Sequence, residues 1–125
     1  MRVAVYHRAD GSRGLTAQQI YLQKCLDRHP DWKVVAEYAD TGIRAYSENR
    51  PGLSRLLADA KEKKFDIALA QSAERFAPDG NMVLRLANQL SNSGVEIKFA
   101  NGIDYELMPL PKEIRKAYQT KSQER

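Results

Sequence analysis

Apolar and polar positions along the chain fall into two kinds of block. Val3-Ala4-Val5-Tyr6 is a β-branched and aromatic run bounded by Asp10-Gly11-Ser12, which predicts a buried first strand over about Arg2 to His7. A loop follows over His7–Gly14. From Leu15 to His29 the apolar residues Leu15, Ile20, Leu22, Cys25 and Leu26 lie near helical spacing, and Pro30 cannot continue that helix. Trp32 to Ala39 reads as a second strand, ended by Asp40-Thr41-Gly42. Ile43 to Asn49 shows no period. Pro51 then suits the first turn of a helix, and Leu53, Leu56, Leu57 and Ala60 form one apolar stripe up to Lys64. Phe65 to Ala70 is a continuous apolar third strand, and Gln71 to Gly80 a polar loop. Met82, Leu84, Leu86 and Leu90 define a further helix stopping near Gly94, and Val95 to Ala100 a fourth strand.

Strands alternating with helices of this length imply an α/β fold: a mostly parallel four- or five-stranded sheet with helices on both faces and right-handed crossovers. Functional residues of such a sheet belong at the carboxyl ends of its strands, here the loops His7–Gly14, Asp40–Asn49 and Gln71–Gly80. Asn101-Gly102 closes the sheet region, and Pro109 and Pro111 mark a linker before a basic C-terminal helix. The 125 residues amount to one domain, long enough to bury a core without staples. With 42% hydrophobic and 29% charged residues, intrinsic disorder is excluded as the main reading. No uncharged stretch is long enough to span a membrane and the N-terminus runs straight into a strand, so a cytoplasmic protein is expected. The single cysteine, Cys25, lies on an apolar stripe and reads as a buried thiol; with two histidines in all, a Cys/His zinc site is excluded. The net charge of +4 is concentrated beyond Pro111, where five basic residues face two acidic ones. Such a tail fits either a phosphate partner or a solvated helix face.

Several stretches, taken in order, resemble the catalytic domain of the serine recombinases, the resolvase, invertase and integrase family, over about residues 1–105. The strongest runs from Arg50-Pro51-Gly52-Leu53 to Asp66, similar to the family's Arg-Pro-Gly-Leu helix and the strand after it. Val3-Ala-Val-Tyr-His-Arg8, Gln19, Asp40-Thr-Gly-Ile43 and Gly102-Ile-Asp104 add to it. The resemblance implies a resolvase-like catalytic fold and a chemistry in which a serine hydroxyl attacks a DNA phosphodiester and leaves a phosphoserine-linked end. Arginines around the serine would stabilise the phosphorane. Tyr6, Arg8, Gln19, Arg50, Lys61, Asp66 and Arg75 match the family pattern. The nucleophile of its Tyr-x-Arg-x-Ser motif, however, corresponds to Asp10. Its second arginine motif becomes Glu74-Arg75-Phe76-Ala77-Pro78, with proline at the last arginine, and the serine after Asp-x-Gly-Ile becomes Arg44. The family's long dimer-forming helix and DNA-reading region would follow Gly102-Ile-Asp104. Residues 106–125 are instead expected to form a short linker and a basic helix, truncated relative to the family.

These departures predict a catalytically inactive relative, a pseudo-enzyme associated with DNA recombination or mobile elements. It would act through weak, non-specific DNA association, as a homo-oligomer, or with an active recombinase, and without cofactor. The family's catalytic positions are Arg8, Asp10, Glu74 and Arg75. Phosphate or DNA contacts are expected from Arg8, Gln19, Arg44, Arg50, Lys61 and Arg75, and from Lys112, Arg115, Lys116 and Lys121 of the tail. The alternative is an active strand-exchange or phosphodiester-cleaving enzyme. It would use Ser12, whose hydroxyl a flexible loop could deliver, or Mg²⁺ held by Asp10, Asp40 and Glu74. Those carboxylates are more simply expected as ion-pair partners of Arg8, Arg44 and Arg75. For the arginines, pairing of that kind and a retained phosphate site stand about even.

Overall fold

The structure, a computed structural model, describes residues 1–42, 50–77, 80–102, 104, 106 and 107. In chain order these form β1 (Arg2–Ala9), α1 (Ser12–Asp27), β2 (Lys33–Thr41), α2 (Pro51–Lys61), β3 (Ile67–Ala70), α3 (Ala73–Phe76), α4 (Gly80–Asn92) and β4 (Glu96–Phe99). The four strands make one parallel sheet in the order β2-β1-β3-β4. The chain steps from β1 to one side through α1, then back across β1 through α2. Because right-handed crossovers in opposite directions lie on opposite faces, α1 covers one face and α2 and α4 the other.

Strand alternation divides the core accordingly. Ala4 and Tyr6 of β1 pack with Leu53, Leu56 and Ala60 of α2, Val83, Leu86 and Leu90 of α4, and Phe65, Phe76 and Phe99. Val3 and Val5 face the other way, toward Leu22 and Cys25 of α1. Cys25 is fully buried, as its stripe predicts.

The expected α/β class and two-sided helix coverage hold, and the sheet expected to be mostly parallel, with four or five strands, has four, all parallel; several boundaries move. β1 runs to Ala9 rather than ending near His7, because His7 and Arg8 are buried at a sheet position paired with Ala39 and Asp40. α1 starts at Ser12, three residues before the expected Leu15, so Ser12 is the first residue of a helix and not part of a flexible loop. Gly14 permits that early start: a Cβ there would lie 3.2 Å from the Cβ of Ala9. The expected loop after β3 contains the four-residue helix α3, which buries Phe76. The basic C-terminal helix and Arg44 lie outside the described residues.

The order 2-1-3-4 makes β1 the switch point of the sheet. Val5 is the last residue of β1 that pairs with β3, and the carboxyl ends of strands at such a switch point are where ligands bind in sheets of this kind.

Candidate phosphate site at the sheet switch point

Arg8 comes from the end of β1, Arg50 from the residue before α2, and Arg75 from α3. Arg50 is 2% exposed and Arg8 8%, while Arg75 is half-buried. Arg50 donates from Nε (3.2 Å) and Nη2 (2.7 Å) to the Tyr6 hydroxyl, and from Nη2 to the Phe76 carbonyl at 2.7 Å. Its guanidinium carbon also sits 5.4 Å from the centre of the Tyr6 ring, within cation–π range. The Tyr6 hydroxyl donates in turn to Asp40 Oδ2 at 2.7 Å. Burial first, then the hydrogen bond to Asp40, push the phenol upward, so Tyr6 remains a protonated relay between Asp40 and Arg50.

Asp40 completes the network from below. Its Oδ1 accepts the Gly52 N–H at 2.8 Å and its Oδ2 the Leu53 N–H at 3.0 Å, satisfying two of the free amides at the start of α2. The Pro51-Gly52 pair is what allows this. Proline leaves no N–H to satisfy, and a Cβ at Gly52 would lie 2.7 Å from the Ala39 carbonyl oxygen, so only glycine lets the helix come so close.

Neither Arg8 nor Arg75 has a carboxylate partner among the described residues. Arg8 Nη2 donates to the backbone carbonyl of Glu74 at 3.0 Å. The guanidinium of Arg75 makes no hydrogen bond or ion pair with the described residues. Burial first, then the charges of Arg50 and Arg75, lower the affinity of Arg8 for its proton; a guanidinium keeps its charge under such pressure. Two donors, Arg8 Nε and Arg50 Nη1, are buried with no partner among the described residues. Three cations therefore share one corner of the sheet, and among the described residues no carboxylate is bonded to Arg8 or Arg75.

The expected ion pairs of Asp10 and Glu74 with these arginines do not form. Arg8 spends Nη2 on the Glu74 carbonyl rather than on a carboxylate. Asp10 is exposed beyond the end of β1, where water solvates it, and Glu74 is exposed with its carboxylate turned to Ser72 Oγ at 3.4 Å. The Mg²⁺ alternative also fails on Asp40, whose oxygens are taken by Tyr6, Gly52 and Leu53. Among the described residues no three acidic, histidine or cysteine side chains are placed to hold a metal.

Two further expected contacts lie elsewhere. Gln19 is exposed and donates to Glu37 Oε1 at 2.7 Å. Lys61 ends α2, roughly 16 Å along the helix from Arg50 at 1.5 Å per residue. Sequence reading passed over Gln18, which is 3% exposed and bonded to the backbone of Arg8. The signal was present: Gln18, Leu22 and Cys25 share one helical stripe, and a polar residue on a buried stripe needs a specific partner. His7 belongs to β1. It is buried on the α1 face, with Nε2 3.2 Å from Glu37 Oε1.

The profile of the family described as Resolvase, N terminal domain, matches residues 2–110. An all-parallel α/β domain with arginines gathered at the switch point of its sheet is the class of protein this defines, and the chain belongs to the resolvase N-terminal domain family. No curated protein matches the sequence. Among solved structures, the chain is similar to the N-terminal catalytic domain of TP901-1 integrase, at TM-score 0.70 and 26% identity, over 81% of this chain and 78% of that one. It shares the fold of the C-terminal catalytic domain of ISC1926 TnpA, an IS607-like serine recombinase: TM-score 0.71, 23% identity, 82% and 71% coverage. A resolvase family site-specific recombinase from Streptococcus pneumoniae gives TM-score 0.71 at 21% identity, covering 99% of this chain and 89% of that one.

Proposed function

We propose that this chain is a serine-recombinase-type domain associated with DNA recombination or mobile elements, which keeps a phosphate-binding arginine site but has lost its nucleophile. The observation that carries this reading is the cluster of Arg8, Arg50 and Arg75, which among the described residues has no carboxylate partner and leaves two buried donors unpaired. A phosphodiester oxygen answers both deficits, since it supplies negative charge and acceptors for guanidinium N–H groups. Asp10 stands where the family pattern carries the nucleophile. An ionised carboxylate there repels the phosphate it would have to attack and offers no hydroxyl. Ser12, as the first residue of α1, is held by the helix, and its carbonyl accepts the Thr16 hydroxyl at 3.0 Å.

The family resemblance supports DNA as the source of the phosphate and association with like domains as the mode of action. Without a nucleophile, the domain acts by binding, alone or beside an active recombinase. The test is incubation with supercoiled DNA, with and without Mg²⁺, followed by denaturing electrophoresis. Neither a covalent protein–DNA adduct nor nicking is expected. Adduct that disappears in Ser12→Ala would overturn the reading in favour of an active enzyme. Nicking that needs Mg²⁺ and disappears in Asp10→Asn would overturn it in favour of a metal-dependent one.

A further inference from the structure

We infer that Gln18 is the positioning residue for Arg8, fixing through the backbone where that guanidinium sits; its importance for phosphate rests on the reading above, but its hold on Arg8 does not. The Gln18 side-chain amide makes a reciprocal pair of bonds with one residue: the Arg8 N–H donates to Gln18 Oε1 at 3.2 Å, and Gln18 Nε2 donates to the Arg8 carbonyl at 2.7 Å. Both partners are buried, Gln18 at 3% and Arg8 at 8% exposure. In a parallel sheet the N–H and C=O of one residue point to the same neighbouring strand. On the β3 side of β1 that neighbour is gone, because β3 pairs only with Val3, Ala4 and Val5. Gln18 thus takes the place of the missing strand at the residue of β1 that carries a guanidinium into the site.

The consequence is mechanical. Arg8 reaches the Glu74 carbonyl through a long flexible side chain, and nothing else among the described residues bonds that side chain. Its placement depends on where the end of β1 holds its Cα. Arg50 has separate restraints, Tyr6 and the Phe76 carbonyl. Loss of the Gln18 amide should therefore release Arg8 and leave Arg50 in place, an asymmetry that a general loss of stability would not produce. Gln19, one residue on, faces Glu37 and is the natural control.

The test compares the full chain with Gln18→Met, Gln18→Glu and Gln19→Met by NMR, following the Arg8 amide and the Arg8 and Arg50 Nε–Hε signals, before and during titration with inorganic phosphate. Gln18→Met keeps length and helix propensity but removes both bonds, and Gln18→Glu keeps the acceptor and loses the donor. The expected result is that hydrogen exchange at the Arg8 amide speeds at least tenfold in Gln18→Met. The Arg8 Nε–Hε signal shifts or broadens while that of Arg50 is unchanged, Gln18→Glu is intermediate, and Gln19→Met matches the parent. Phosphate affinity should fall about tenfold in Gln18→Met. Unchanged Arg8 signals in a folded Gln18→Met protein would overturn the inference, as would equal disturbance of both arginines. Failure of both Gln18 variants to fold would overturn it too, by making Gln18 a residue of the fold at large. If the parent itself shows no phosphate response, the arginine-site reading fails, and the Arg8 signals without phosphate still decide the role of Gln18.

Discussion

Arg8, Arg50 and Arg75 share one corner of the molecule with no carboxylate between them among the described residues, and each buried donor left unpaired there costs about 1–3 kcal/mol. Such a site is stabilised by whatever anion fills it. Inorganic phosphate at a hundred times its Kd should therefore raise the unfolding free energy by about 2.7 kcal/mol, read as a rise in Tm that Arg8→Ala or Arg75→Ala diminishes. Asp10 works against this. Its charge is close enough to act on Arg8, so Asp10→Asn should tighten phosphate about fivefold, for ~1 kcal/mol of relieved repulsion. Unchanged affinity in calorimetric titration would place Asp10 outside the reach of the bound anion. On the opposite face of β1, burial pushes the His7 imidazole below its ordinary range, partly opposed by Glu37. The unfolded chain then binds the proton more readily than the folded one, so stability is fully present above the unfolded value near 6.5 and is lost as pH falls below it toward the folded value. Urea unfolding at pH 7.5 and 5.5 should show the acid loss in the parent and a flatter profile in His7→Gln.

Among the elements, α2 carries the most consequence for its length. Its apolar stripe seats Leu53, Leu56 and Ala60 in the core, while its first turn hangs on Asp40. Asp40→Asn turns one acceptor into a donor among three donors. It should destabilise the protein by about 2 kcal/mol and loosen Arg50 through Tyr6, whereas Leu56→Ala should cost about 2–5 kcal/mol without touching the arginines. Chemical denaturation measures both losses, and the Arg50 Nε–Hε signal separates them. This helix was the most legible part of the chain, because Pro51 and the leucine spacing state its start and its buried face directly. Helix α3 was not legible: four residues carry no period, and Phe76 is buried by an edge-to-face contact with Tyr6, 5.6 Å between ring centres, made by a residue far away in sequence. The start of α1 was hidden for a similar reason. Gly11, Ser12 and Gly14 read as loop locally, and only the close approach to Ala9 shows why glycine is wanted there. The arginine cluster was half legible. Family motifs pointed to Arg8, Arg50 and Arg75, but charge pattern alone gave equal reason to pair them with Asp10 and Glu74. Backbone carbonyls, which no sequence pattern displays, took the place of those carboxylates.

For the whole molecule the question is how a domain with a small cationic site would hold DNA, the partner proposed above. Affinity for DNA without sequence preference comes chiefly from phosphates neutralised and counterions released, each phosphate contact steepening the salt dependence by about one power of concentration. The net charge is only +4, most of it beyond Pro111, and the arginine site presents three cations of which two are buried. Few phosphates can be engaged at once. Binding should therefore lie in the range of about 10⁻⁴ to 10⁻⁶ M typical of non-specific contacts, be indifferent to sequence, and weaken steadily with salt. The two sources of charge separate cleanly. Changing Lys112, Arg115, Lys116 and Lys121 together to alanine should weaken binding evenly across sequences and flatten its salt dependence, if the tail lies along the backbone. Arg8→Ala and Arg75→Ala should instead remove one phosphate contact each, and the competition that inorganic phosphate offers at the arginine site should go with them. Fluorescence anisotropy on two unrelated duplexes across a salt series distinguishes these outcomes. A tail variant that binds as well as the parent, with the same salt slope, leaves the switch-point arginines as the DNA contact. Tight, sequence-selective binding by the parent would contradict the non-specific mode altogether, because a corner of three arginines can grip a phosphate but cannot read a base.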